Sequence, residues 1–207
     1  MIDPSVLMAY LLLSVSFAVI PGPDVLCILS NSVARGTAAG IKVCAGIAVA
    51  MLTHVTAAAL GLTAFLAAVP TAFIIVKTAG AAYLVWLGWQ MLRRPISLSA
   101  ETPATSLRSP FAQGIVANLL NPKIAIFFLA IFPQFLDPSR GSTGLQAALL
   151  GISSVTITSL VNLCVAMLGG KARTLVLGRP RVFHRFQQAA GSLLIGLGLK
   201  VALERAR

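Results

Sequence analysis

Asp24 and Lys123 are an acid and a base set deep in apolar sequence, and each stands directly after a helix-breaking proline. The first lies in Ile20-Pro21-Gly22-Pro23-Asp24, inside the run from Val6 to Leu29; the second ends Asn118-Leu119-Leu120-Asn121-Pro122-Lys123, inside the run from Phe111 to Leu136. A proline has no amide hydrogen, so an unbroken helix would leave the carbonyls of Phe17, Val19 and Asn118 without partners. In lipid both that loss and an ionised side chain are costly, which makes each interruption a candidate site. The local order of residues suggests how each helix restarts. Gly22 caps, Pro23 is the first helical residue and Asp24 the next; Asn121 caps, Pro122 starts and Lys123 follows. Two new helix N-termini result, with unpaired amide hydrogens suited to a carboxylate, while the freed carbonyls suit an ammonium group or a cation. An amino acid carries both groups. Asp24 can bind the ammonium or carry a proton, and Lys123 can pair with Asp24, bind the carboxylate or snorkel. His54 has the intrinsic pKa of a proton relay, or serves as a hydrogen-bonding group between helices. Asn118 and Asn162 either line a pathway or bridge helices.

The elements that must hold these residues are membrane helices. Of the 207 residues 57% are hydrophobic and 10% charged, with a mean hydropathy of +0.92, beyond the usual soluble range. The length allows about six spans with short loops and no sizeable soluble domain. The expected spans are about 6–29, broken at Pro21 to Pro23; 43–69, rich in Ala and Gly and ended by Pro70; 72–92, with Tyr83, Trp86 and Trp89 ahead of Arg93-Arg94; 111–136, broken at Asn121-Pro122; 144–168, with Thr156, Thr158, Ser159 and Asn162; and 188–203, interrupted by Lys200. A polar turn from Ser30 to Gly36 follows the first span, a basic loop from Gly169 to Arg185 the fifth, and a Ser, Thr and Pro-rich linker fills 96–110.

The net charge of +11 is a topology signal rather than a nucleic-acid footprint, because the cations fall in loops. Arg35, Lys42, Arg93, Arg94, Arg108, Lys171, Arg173, Arg179, Arg181 and Arg185 lie on one side, against Lys77, Arg140, Lys200, Arg205 and Arg207 on the other. The more basic side is cytoplasmic by the positive-inside rule, so both termini are expected outside. The breaks fall in the first span of each three-span half. Three is odd, so the halves insert in opposite senses: the expectation is an all-α polytopic membrane protein of six transmembrane helices in one domain, residues 1–207, built as two inverted three-helix repeats, about 1–95 and 111–207, with helices 1 and 4 broken at mid-membrane. Cys27, Cys44 and Cys164 are dispersed in apolar segments and suggest buried free thiols rather than a metal site. No cofactor is indicated.

Several motifs together resemble the LysE/RhtB family of amino acid exporters: Pro21-Gly22-Pro23-Asp24, the series Gly36, Gly40 and Gly46, Ala82-Tyr83-Leu84 with Trp86-Leu87-Gly88, Asn118 to Lys123, and Phe132-Pro133-Gln134-Phe135. They span essentially the whole chain; one departure is Ala50, where many members continue the glycine series. The resemblance implies a secondary transporter of the bacterial inner membrane that exports amino acids or close derivatives, driven by the proton-motive force. With one carboxylate and one cation the core is formally neutral, which suits a neutral amino acid better than a basic one, whose extra charge needs a further acceptor. Basic amino acids, another small solute and an inorganic cation remain alternatives, as does a homo-oligomer. An integral-membrane enzyme is disfavoured because only His54, His184 and five acids are available as nucleophile partners or metal ligands, and Asp24 alone of the acids is deep.

Overall fold

The computed structural model describes residues 2–20, 22–62, 70–93, 107–178 and 180–203. Pro21 lies outside the described residues, as do most of the 96–110 linker and the cations Arg94, Arg179, Arg205 and Arg207. The described chain is helical, with no strand among its residues. Helix α1 is Pro4–Val19, α2 Pro23–Arg35, α3 Thr37–Ala57, α4 Pro70–Arg93, α5 Pro110–Leu119, α6 Pro122–Ile126, α7 Thr143–Gly178 and α8 Pro180–Leu203. Six of these eight begin on a proline, where the fixed φ suits the first turn and the missing amide hydrogen is not needed. Helix α3 runs on through a π turn, Ala58–Leu62; α6 continues through a π turn, Phe127–Ile131, and a 3-10 turn, Phe132–Phe135.

The segments Thr37–Leu60 and Thr143–Gly169 are each long and apolar enough to cross a membrane. The pairs α1/α2 and α5/α6 bend by 49° and 47° and add two crossings if each pair is one span, giving two to four among the described residues. Helices α4 and α8 have 24 residues each, and a rise of about 1.5 Å per residue makes each comparable to the hydrocarbon core. Leu12, Leu60, Ile75, Leu160 and Leu203 face outward, an apolar surface suited to lipid.

Two boundaries differ from the expectation. The polar stretch after the first span is not a turn: α2 continues to Arg35, and the reversal is made at Gly36 alone, whose φ of 86° is open to glycine. Asn31 and Ser32 are buried within α2, and the Asn31 amide donates to Gln113 Oε1 at 2.6 Å, so these polar residues are consumed by packing. Likewise the stretch 169–185 is not a loop. Helix α7 extends to Gly178 and α8 starts at Pro180, in keeping with Lys171 and Arg173 being good helix formers and proline suiting a first turn. Cys27 and Cys44 are buried, but Cys164 is exposed on α7.

Helix α3 is the central packing element, contacting α2, α5 and α7. Its crossing with α5 is made by backbone: a Cβ on Gly46 would collide with the Phe111 carbonyl, and one on Gly114 with the Val43 carbonyl. Helices α4 and α8 form a second close pair, where Gly88 meets Gly191 and Gly198 meets Ala81. Small residues permit such approach where no hydrophobic effect separates helices from lipid. Gly80 of α4 lies against Ile126 and Ala130, which joins this pair to the segment following Lys123.

Candidate functional site

The two interrupted helices meet. Gly22 caps α2 in extended backbone, with Pro23 at the first helical position; Asn121 caps α6, its side-chain oxygen accepting from the Lys123 amide at 3.0 Å. A Cβ on Gly22 would lie 3.5 Å from Lys123 Nζ and 3.8 Å from Asn121 Nδ2, so one break stands within van der Waals reach of the other. Asp24, Asn118, Asn121 and Lys123 are 4%, 0%, 1% and 3% exposed, a burial that polar groups tolerate only with partners.

Those partners are exchanged crosswise. Lys123 of α6 sends its ammonium to the end of α1, donating to the carbonyls of Phe17 at 3.0 Å and Ile20 at 2.9 Å. Asp24 of α2 turns to the end of α5, where Asn118 Nδ2 donates to Asp24 Oδ2 at 2.9 Å. In each break the residue after the proline therefore serves the end of the other break's preceding helix. The Phe17 carbonyl is one that Pro21 would leave without a partner, as the sequence predicts; Ile20 is an additional acceptor that proline spacing does not reveal. The Asn118 carbonyl is not free, because the Asn121 amide donates to it at 3.0 Å. Lys123 thus bonds to backbone rather than pairing directly with Asp24, and the carboxylate is left half satisfied.

Several unsatisfied atoms lie here, with others on Ser32, His54 and His184. Asp24 Oδ1, Asn118 Oδ1, Asn121 Nδ2 and Asn162 Nδ2 are buried without hydrogen-bond partners. A cavity bordered by Asp24, Lys123, Ser14, Ser154, Thr158 and Asn162, with apolar walls from Phe17, Met51 and Phe127, leaves ≈ 20 Å³ for the centres of water-sized spheres. That is room for about one water and not for an amino acid. The polar residues of the site are buried in this conformation.

His54 stands apart from this cavity lining. Its ring stacks on Phe128 at 5.6 Å with an interplanar angle of 9°, and Nε2 has no hydrogen-bond partner. Three features are not evident from the breaks. Tyr10 is fully buried among Phe127, Phe132 and Phe135, and its hydroxyl meets Ser154 Oγ at 2.5 Å, which also meets Ser14 Oγ at 2.9 Å. Gln113 is buried between Asn31 and the Leu107 carbonyl. On α7, Ser154, Thr158 and Asn162 form an i, i+4, i+8 row along the cavity, a spacing visible in sequence, whereas Thr156 is exposed and bonds back to the Ile152 carbonyl.

At the end of the molecule carrying Asp3, Arg140 Nη2 lies 3.2 Å from Asp3 and its Nε 3.3 Å from Asp137. Ser5 hydrogen bonds, more than the nearby Arg140, hold the Asp3 carboxyl below its ordinary range; Ser139 does the same for Asp137. At the opposite end Arg35 donates to the Arg108 carbonyl at 3.1 Å.

Residues 15–205 match the family model described as LysE type translocator. The chain is 35% identical to an uncharacterized membrane protein of Vibrio cholerae, covering 99% of this chain and 100% of that one. It is 31% identical to a homoserine/homoserine lactone efflux protein of Salmonella typhimurium over 95% of this chain and 96% of the relative, and 29% identical to a leucine efflux protein of the same species over 91% and 88%. No solved structure matches.

Proposed function

Because the chain belongs to the LysE type translocator family, we propose that it is a secondary exporter of neutral amino acids, with the facing breaks as its substrate site and protons as its coupling ion. The observation that carries the reading is the crossed pairing of Asp24 with Asn118 and of Lys123 with the Phe17 and Ile20 carbonyls, in a cavity whose borders include both charges. Acceptors for an ammonium and amide hydrogens for a carboxylate stand side by side there. One acid and one base leave no spare charge for a basic side chain. Relatives named for homoserine and leucine efflux favour the same substrate class.

Alternating access is the mechanism suited to such a site. Pro23 and Pro122 keep the half-helix starts near mid-depth; at the α6 start the Lys123 and Ile124 amides are already taken by Asn121, whereas the α2 start after Gly22 has no side-chain cap. The carboxylate binds at the α2 start while Asp24, half satisfied, receives the ammonium. Asp24 also holds the coupling proton, bound from one side and released to the other as the helices tilt. His54 relays that proton. The supporting architecture is two inverted repeats, 1–95 and 111–207 around the 96–110 linker, in which α1/α2 corresponds to α5/α6, α3 to α7 and α4 to α8; the similar bends of 49° and 47° and the α3/α7 and α4/α8 pairings favour it. The basic face is cytoplasmic and both termini lie outside in a bacterial inner membrane.

Cells loaded with a dipeptide and expressing the protein should release the liberated amino acid faster than cells without it. Asp24→Asn keeps the shape and removes the titrating group, so the acceleration should vanish while the amount of protein in the membrane is unchanged. Undiminished efflux from Asp24→Asn would remove Asp24 from the mechanism.

A further inference from the structure

The α7 row beside the two breaks is not needed to hold an amino acid's own ammonium and carboxylate, yet it lines the cavity. We propose that Asn162, backed by Thr158 and Ser154, is the specificity-determining residue of the site and selects neutral amino acids bearing a side-chain hydroxyl. The inference rests on the export reading above and extends it to the side-chain end of the substrate.

Three observations converge. Asn162 is 2% exposed and its Nδ2 has no hydrogen-bond partner, so a donor has been taken out of water and left unused on the cavity wall. A buried unpaired amide is costly, and a ligand that supplies an acceptor recovers that cost only when it binds. Second, the free space is about the size of one water, and a hydroxyl occupies such a space while both accepting and donating. Third, hydroxyls border the cavity along with Asn162, facing apolar walls from Phe17, Met51 and Phe127: Ser14 and Ser154 bond each other at 2.9 Å, and Ser154 is fixed from behind by Tyr10. That chain of hydroxyls can reverse its donor order, so it accommodates either orientation of a substrate O–H. An aliphatic side chain at the same place would leave Asn162 unpaired and strip water from the serines.

Discrimination of this kind is asymmetric. A site that hydrogen-bonds a hydroxyl rejects the analogue lacking it more strongly than an apolar pocket rejects an added hydroxyl. Threonine and valine differ by that group at nearly equal volume and are the appropriate probes. Cells expressing the full chain are loaded with dithreonine or divaline, and efflux is normalised to the intracellular concentration and to cells lacking the protein. The expected result is threonine efflux faster than valine efflux by about tenfold or more. Asn162→Leu should bring the ratio of threonine to valine efflux down toward one, with threonine efflux falling the more. Thr158→Val, a change of nearly constant volume, should narrow the preference without abolishing export, and it tests the same wall if Asn162→Leu fails to reach the membrane. Equal efflux of threonine and valine by the unaltered protein overturns the selectivity while leaving export intact. Equal loss of both in Asn162→Leu, with Thr158→Val retaining the full preference, also overturns it, since Asn162 would then hold the part common to all amino acids. Efflux of neither amino acid removes the export reading and this inference with it.

Discussion

Lys123 is the residue whose loss the protein should feel most in stability. Its ammonium satisfies two buried carbonyls, and Lys123→Met keeps the length of the side chain while leaving Phe17 and Ile20 unpaired and Asp24 without a nearby cation. An unsatisfied buried group costs about 1–3 kcal/mol, so the variant should melt at clearly lower temperature in detergent and export nothing. Combining it with Asp24→Asn removes the uncompensated acid, and the double variant should regain part of the lost stability but none of the transport. A melting temperature equal to that of Lys123→Met alone would mean that the two charges do not communicate. The sequence made this residue legible through its proline. It could not reveal which carbonyls Lys123 reaches, because the Phe17 and Ile20 acceptors are more than a hundred positions away and belong to another helix. Tyr10 was hidden for a different reason: a tyrosine in an apolar run looks like any core aromatic until its Ser154 partner is brought beside it.

Among elements, the contact of α3 with α5 is the least forgiving. Gly46→Ala and Gly114→Ala each drive a methyl into a backbone carbonyl that cannot rotate away, and overpacking of this kind costs roughly 1–3 kcal/mol. Gly196 is the matched control: nothing lies within 4 Å of a Cβ placed there, so Gly196→Ala should be neutral or mildly stabilising through helix propensity. Thermal denaturation of the three variants in one detergent checks this ordering, and a Gly196→Ala as damaging as Gly46→Ala would undermine it. The half-helix starts could be read in advance because proline and a capping residue act within four positions, as Gly22-Pro23 and Asn121-Pro122 show. Helix ends could not, since nothing so local marks them. Asn31 and Ser32 look like a turn and become helix only because Gln113 and the close passage of Gly40 receive them. The same holds for the basic stretch after Gly169, where charge suggested a loop and Lys171 and Arg173 proved compatible with helix.

At the scale of the whole molecule, the Asp3, Asp137 and Arg140 cluster joins the start of α1 to the turn after α6. Both carboxyls lie below the ordinary aspartate value of about 3.9, so the folded state favours their ionised forms. The stabilisation is present above that value and is lost as pH falls through the lowered folded values. These groups are solvent-exposed and salt-screened, so the effect is small. The expected outcome is a fall in melting temperature on acidification below about pH 4 that is shallower in Asp3→Asn/Asp137→Asn, measured at low ionic strength. An identical acid profile in that variant would assign the sensitivity elsewhere.

The crosswise bonding of the breaks bears on how an empty carrier could return. The carbonyls of Phe17 and Ile20 form a single seat for one positive group, and Lys123 sits in it. A second cation cannot enter while the first stays, since both would be desolvated at the same spot. The half-satisfied Asp24 beside it is therefore the acceptor open to a substrate ammonium on the export reading. On that same reading, the lysine keeps these two carbonyls paired whenever the site holds no substrate.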